Sequence, residues 1–309
     1  MKKKTIIKVI KVGIIVLIFF FIGKYLYDNI STLDVSSLKF NYGFLLASVL
    51  IYLLHILVNM SVWYLITRQN SCALGFWESL KVRIFSDFGK YIPGKVFAYG
   101  ILFYSYDQKG ISKKKVMVCS LQELIAGTLA AILVSLISLF FVDIDALERY
   151  RWILVVMVAL SLVLIHPAIL KFFLNLVLKT FKREPLELTS TYGQILLDTL
   201  LFLLNWLLFG VGFFLFIHSF YDCPISYFFY TTGAFALAGI IGFVAIFAPA
   251  GLGVREGVLV FILSKVFPAA VAAIIAVVSR IWMTLCELIL LAVFYTVFFV
   301  RERRKKNGN

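Results

Sequence analysis

Long, almost wholly apolar runs recur along this chain, and they leave few folds open to it. Residues 42–67, 116–142, 192–217 and 269–300 are each long enough to cross a hydrocarbon core of about 30 Å as a helix rising about 1.5 Å per residue. A backbone in lipid must satisfy its own hydrogen bonds, which a helix does internally. The chain as a whole is 62% hydrophobic, with a mean hydropathy of +0.99, against about 45–50% apolar residues in ordinary soluble domains. No polar stretch is long enough to bury a core of its own. The fold class is therefore an all-α polytopic membrane protein, one integral domain over 1–309 with no soluble catalytic domain.

The net charge of +14 raises the question of nucleic acid, but the placement of the charges answers it. Most of the 30 Lys and Arg residues fall within 2–11, 68–115, 171–183 and 301–306, at alternate ends of the apolar runs. That is the pattern of the positive-inside rule and of contact with anionic headgroups. It sets a cell-membrane protein with both termini cytoplasmic and excludes nucleic acid as a partner. The N-terminal run 12–23 lacks an A-x-A-like cleavage site and is read as an uncleaved first helix. Four cysteines and three histidines are scattered without CxxC, CxxH or HExxH spacing, so neither a metal centre nor a disulfide framework is expected. No cofactor is implied.

Two stretches break the regular pattern. In 227–267 an apolar limb (227–247) meets Ala248-Pro249-Ala250-Gly251-Leu252-Gly253, then Arg255-Glu256, then a second limb (257–267) of about 16 Å, half of a hydrocarbon core. Pro249, Gly251 and Gly253 open the backbone there. Irregular backbone is tolerated at membrane depth only where protein or water surrounds it. The stretch is either a plain turn with its ion pair among the headgroups or a re-entrant helix whose tip forms a site, and the second is favoured. In 76–106 a charged helix leads to Pro93-Gly94-Lys95 and an aromatic limb, either a dip into the membrane or an interfacial helix. With the run 12–23 and a further helix from about 152 to 178, kinked at His166-Pro167, about six full transmembrane helices plus these two broken units result. One unit enters from the cytoplasm and the other from outside, facing each other, and paired interruptions of that kind point to a transporter site at the midplane.

Ionisable residues inside apolar spans cost about 2.5–3.5 kcal/mol at the bilayer centre and need partners or water. They are Glu123, Asp198, Arg255, Glu256, Arg280 and Glu287. Arg280 lies deep in the last helix. Its guanidinium either reads an anionic phosphate bidentately or locks the bundle through Glu123, Glu256 or Glu287. Asp198 and Glu287 are expected to approach the cytoplasmic interface and snorkel. A half-helix starting after the second break would aim its positive dipole end at the site beside Arg255. The glycines of Gly251-Leu252-Gly253-Val254-Arg255-Glu256-Gly257 have the wrong spacing for a dinucleotide fingerprint.

At Pro249-Ala250-Gly251-Leu252-Gly253-Val254-Arg255-Glu256 the sequence resembles the lysylphosphatidylglycerol synthase transmembrane family, a flippase-like membrane domain, and Tyr91-Ile92-Pro93-Gly94-Lys95-Val96 looks like its earlier Pro-Gly motif. The resemblance extends over the whole chain in length, helix count and motif order. It departs at Ala250, where Gly is common, and at Phe97, Ala98 and Tyr99, where polar residues are often found. The resemblance implies movement of an anionic, aminoacylated or sugar-linked lipid between leaflets in envelope biogenesis. It does not imply synthesis, because the soluble transferase of that enzyme has no counterpart before Asn309. The expectation is a non-enzymatic translocator or accessory. Arg255 and Arg280 would contact a lipid phosphate, with Glu123, Glu256 and Glu287 as ion partners or proton carriers. Pro93, Gly94, Pro249, Gly251 and Gly253 would shape the breaks. A membrane-embedded lipid-modifying enzyme and a scaffold for envelope biosynthesis enzymes are the alternatives.

Overall fold

A computed structural model describes residues 40–91, 96–141, 190–245, 248, 251–307 and scattered positions between 152 and 175. Eight α-helices have defined extents among the described residues, and no strand does: α1 (Tyr42–Gln69), α2 (Phe76–Asp87), α3 (Val96–Asp107), α4 (Lys113–Ser138), α5 (Tyr192–His218), α6 (Phe228–Val244), α7 (Val254–Leu263) and α8 (Ala269–Asn307). Short 3₁₀ turns at Phe88–Tyr91, Leu139–Phe141 and Ile225–Tyr227 extend α2, α4 and α6. Among the described residues, five stretches are long and apolar enough to cross a membrane: α1, α4, α5, Ile225–Val244 and the first 29 residues of α8. Four of them are the full spans expected from the apolar runs. The fifth, expected as one limb of a broken unit, has the length of a span itself. The helix expected over 12–23 lies outside the described residues, and that over 152–178 is described only in part.

Helix ends are fixed by local capping. The Asn41 side chain accepts from Gly43 N (3.0 Å) and Phe44 N (3.3 Å) at the start of α1. Thr191 and Gln194 form a reciprocal capping box on α5. Asn41 N also donates to Ser219 O (2.7 Å), joining the start of α1 to the end of α5. The two helices are therefore antiparallel neighbours, as alternate crossings require. Lipid tails are as apolar as Leu, so helix association rests on close packing rather than burial from water. Gly210 of α5 lies directly against Thr232 of α6, and Gly233 of α6 against Ser138 of α4. Tyr52, Phe209, Phe213, Phe216, Phe235 and Trp282 fill the interior among α1, α5, α6 and α8.

Both irregular stretches fold back on themselves through glycine. In the first, Gly89 sits so close to α3 that a Cβ there would lie 2.6 Å from the Ala98 backbone. In the second, Gly251 (φ +67°) rests on Gly242, and a Cβ would lie 3.0 Å from Gly242 Cα. Tyr230 OH donates to Ile262 O (2.6 Å), bringing the start of α6 beside the end of α7. The α6–α7 unit is thus a helical hairpin that begins and ends on one side. Pro93, Gly94, Pro249 and Ala250 lie outside the described residues.

One expectation fails plainly. Asp198 does not snorkel: it is fully buried, accepting from Gln69 Nε2 (3.0 Å) and Gln122 Nε2 (2.6 Å). Gln122 also accepts from Asn70 and Ser190, so the end of α1, the middle of α4 and the start of α5 share one polar network. The amide donors that make a buried carboxylate tolerable come from other helices, which the local pattern around 198 does not reveal. Cys72 and Cys119 are free thiols with their sulfurs 2.9 Å apart, joining the loop after α1 to α4.

Candidate functional site

A cavity of about 370 Å³ lies where the two broken units meet α8. The first unit contributes Arg83, Ser86 and Asp87 from α2 and Ala98, Tyr99 and Leu102 from α3. The second contributes Phe235, Gly239, Gly242 and Phe243 from α6, Gly251 from the break and Arg255 from α7; α8 adds Arg280, Met283, Thr284 and Glu287. Much of the wall is apolar, and the charges stand at a few convergent points, the usual build of a small-molecule site. A second cavity of about 220 Å³ lies between α1, α2 and α8 and shares Asp87, Met283 and Glu287 with the first.

The second unit holds its charges around one carboxylate. Glu256 is completely buried, and its Oε1 accepts from Arg280 Nη1 (2.7 Å), Arg255 Nη2 (2.9 Å) and Arg255 Nε (3.2 Å). Its Oε2 accepts from Gly253 N (2.7 Å). Gly253 has φ +80°, a conformation that glycine takes without steric cost and that turns its N–H back toward the first turn of α7. The dipole end of α7 is therefore already met by Glu256. Arg255 lies over the Phe235 ring, Cζ to centroid 5.1 Å, and its Nη1 points to Met283 Sδ at 3.6 Å. A guanidinium has five N–H donors. Arg255 directs only two at Glu256 and one at a weak sulfur acceptor, which leaves capacity for a ligand.

The first unit inverts this arrangement. One guanidinium, Arg83, meets two carboxylates: Nη1 and Nη2 reach Glu123 Oε2 and Oε1, both at 2.9 Å, and Nε lies 3.2 Å from Asp87 Oδ1. Arg83 also lies over the Trp63 ring of α1 at 5.1 Å. Trp63 Nε1 donates to Tyr106 OH (3.0 Å), and Tyr106 OH is 3.3 Å from Ser79 Oγ, so α1, α2 and α3 brace one another behind Arg83.

Of the residues expected at the site, Arg255, Glu256 and Arg280 form one cluster, and Glu287 lines both cavities. Glu123 stands apart from them, bound to Arg83 across the cavity. Glu287 Oε1 is 3.4 Å from Tyr52 OH, so this side chain turns toward α1. Arg83, Asp87 and Tyr99 were not singled out in advance. The signal for the first two was the charge density of 77–90 and their i, i+4 spacing, which puts both on one helix face. Tyr99 and Ala98 stand where the family pattern often has polar residues, and both line the cavity.

Comparison with known proteins bears on this arrangement in one respect. A family model described as "Lysylphosphatidylglycerol synthase TM region" matches residues 8–291, nearly the whole chain and both broken units. No curated protein and no solved structure matches significantly.

Proposed function

The chain belongs to the lysylphosphatidylglycerol synthase transmembrane-region family, and from that premise we propose that it carries a lipid with an anionic phosphate between the two leaflets of the cell membrane, breaking no bond. The observation that carries the reading is a cavity bordered by both broken units, with Arg255 and Arg280 in its wall gathered on one buried carboxylate, Glu256. Two arginines against one glutamate leave one positive charge in excess, in surroundings where a guanidinium binds phosphate strongly and bidentately. The apolar faces of Phe235, Gly239, Gly242 and Phe243 suit the first carbons of an acyl or prenyl chain. Interrupted helices meeting at a central site are a recurrent transporter design. Both termini lie in the cytoplasm in this reading, and enzymes that make or use the lipid are its partners.

Leaflet exchange tests the proposal. Purified protein in liposomes is given headgroup-labelled anionic, aminoacylated and glycosylated lipids, beside Arg255→Gln and Arg280→Gln. Exchange selective for phosphate-bearing headgroups, and lost in both variants, is the expected result. Chemical turnover of the lipid by the purified protein, lost in Arg255→Gln, would replace the translocator with an enzyme. Full cellular complementation by both variants would replace it with a scaffold.

A further inference from the structure

One turn of α4 fastens the first broken unit at its base. Cys119, Gln122 and Glu123 share a helix face at i, i+3 and i+4. Gln122 Oε1 accepts from Asn70 Nδ2 just after α1 (2.8 Å), and Glu123 binds Arg83 of α2 (2.9 Å). Beside these contacts the Cys119 and Cys72 sulfurs stand 2.9 Å apart, both as free, buried thiols. They pack in one core with Trp63 and Tyr106, which brace Arg83 from behind. A tight turn sets Cys72 there. Ser71 takes φ +52°, its N–H donates to Arg68 O (3.1 Å), and the Cys72 N–H donates to Thr67 O (2.9 Å). A left-handed conformation is costly for a residue other than glycine, so the contacts around the turn hold it. Both α2 and α3 lie between positions 72 and 119 of the chain. A bond between the two sulfurs would close a ring around the whole first broken unit.

We propose that Cys72 and Cys119 form a reversible disulfide, made by hydrogen peroxide and undone by a dithiol, that locks the first broken unit onto α4. A disulfide is about 2.05 Å long, so the sulfurs close by less than about 1 Å. Cys72 reacts first, because its neighbours Ser71 and Ala73 are exposed while Cys119 lies within α4. Peroxide is small and uncharged and reaches the turn when it opens locally. The Cys72 thiolate attacks one peroxide oxygen and breaks the O–O bond, giving a sulfenic acid and one water. The Cys119 thiolate then attacks the Cys72 sulfur and displaces hydroxide, which leaves as a second water. Two thiols thus lose two electrons and two protons, and one peroxide becomes two waters. A dithiol reverses the step through a mixed disulfide and is itself oxidised. In the charge reading above this turn faces the cytoplasm, where disulfides are rare and usually transient.

The test is peptide mapping of the intact wild-type protein in nanodiscs, without reductant, before and after hydrogen peroxide. A Cys72–Cys119 cross-link should appear and vanish again with dithiothreitol. Cys223 and Cys286, the internal controls, should stay open to alkylation once the protein is unfolded. The oxidised protein should unfold at least about 3 °C above the reduced one, and peroxide should not move the midpoint of Cys72→Ala. Thiols at 72 and 119 that stay free after peroxide overturn the proposal, as does a cross-link to Cys223 or Cys286, or sulfinic acid without a cross-link. A cross-link that leaves the midpoint where it was overturns the lock. Resting on the transport reading, the locked form should also exchange lipid more slowly between leaflets, and equal rates in the two forms overturn that consequence alone. Absence of exchange in the reduced protein overturns the transport reading and leaves the disulfide pair standing.

Discussion

The two broken units solve the same problem with opposite charge. In α6–α7 one buried glutamate gathers two arginines; in α2–α3 one arginine gathers two acids. Each cluster borrows a partner from a full span, Arg280 from α8 and Glu123 from α4, and each stacks an arginine on an aromatic ring, Phe235 or Trp63. Each unit also folds tightly on a glycine, Gly251 or Gly89. The difference lies in the sign left over and in how the cluster is anchored. Glu256 is tied to the backbone of its own break through Gly253 N, whereas Arg83 is held entirely by side chains. The positive cluster is thus part of the backbone design. The negative one is an assembly of side chains that separate helices must bring together.

That contrast predicts a ranking of damage. Glu256→Ala should be the most harmful change, because it strands two arginines and a buried N–H; losing one partner of a buried ion pair costs about 3–5 kcal/mol. Thermal unfolding in nanodiscs should show it, and Glu256→Gln, which keeps an acceptor for Gly253 N, should recover part of the loss. Arg83→Gln should cost less, about 2–3 kcal/mol, and the double change Arg83→Gln, Glu123→Gln should be milder than the single one. A double mutant as unstable as the sum of its parts would mean that the two residues are not coupled.

Smaller effects separate backbone from side chain. Gly251→Ala forces a left-handed conformation on a residue with a Cβ and presses that atom on Gly242, for about 1–2 kcal/mol at least. The loss should appear in leaflet exchange as well as in stability, because the break carries Arg255. Tyr52→Phe removes one long contact to Glu287 and should move the unfolding midpoint by no more than about 0.5 kcal/mol in free energy. A large loss there would mean that the Tyr52–Glu287 contact helps to hold α1 against α8.

What the sequence makes legible here follows the range of each signal. The apolar runs give α1, α4, α5 and α8 because span length is a local property. The two breaks are legible because Pro and Gly are local helix-breaking signals in the sequence, at Pro93-Gly94 and Pro249-Ala250-Gly251. The family resemblance, carried by those same breaks, is borne out over residues 8–291. The partners are not legible. Nothing near Arg280 says that Glu256, 24 residues earlier, is the acid that reaches it rather than Glu123 or Glu287; helix packing decides that. Asp198 reads as an interfacial residue until Gln69 and Gln122 arrive from two other helices. The stretch 225–244 reads as a limb because the break after it dominates the eye, although it has the length of a span.

The central claim is that a phosphate-bearing lipid occupies the cavity between the two clusters. The most direct measurement is photo-crosslinking with an anionic lipid carrying a diazirine beside its phosphate, followed by peptide mapping in the wild type and in Arg280→Gln. The account predicts labels on cavity residues from both broken units and α8, such as Tyr99, Phe235 and Met283. Unlabelled anionic lipid should compete with them, and Arg280→Gln should weaken them. Labels confined to outward-facing residues such as Phe261 and Leu285, and unchanged in Arg280→Gln, would contradict it.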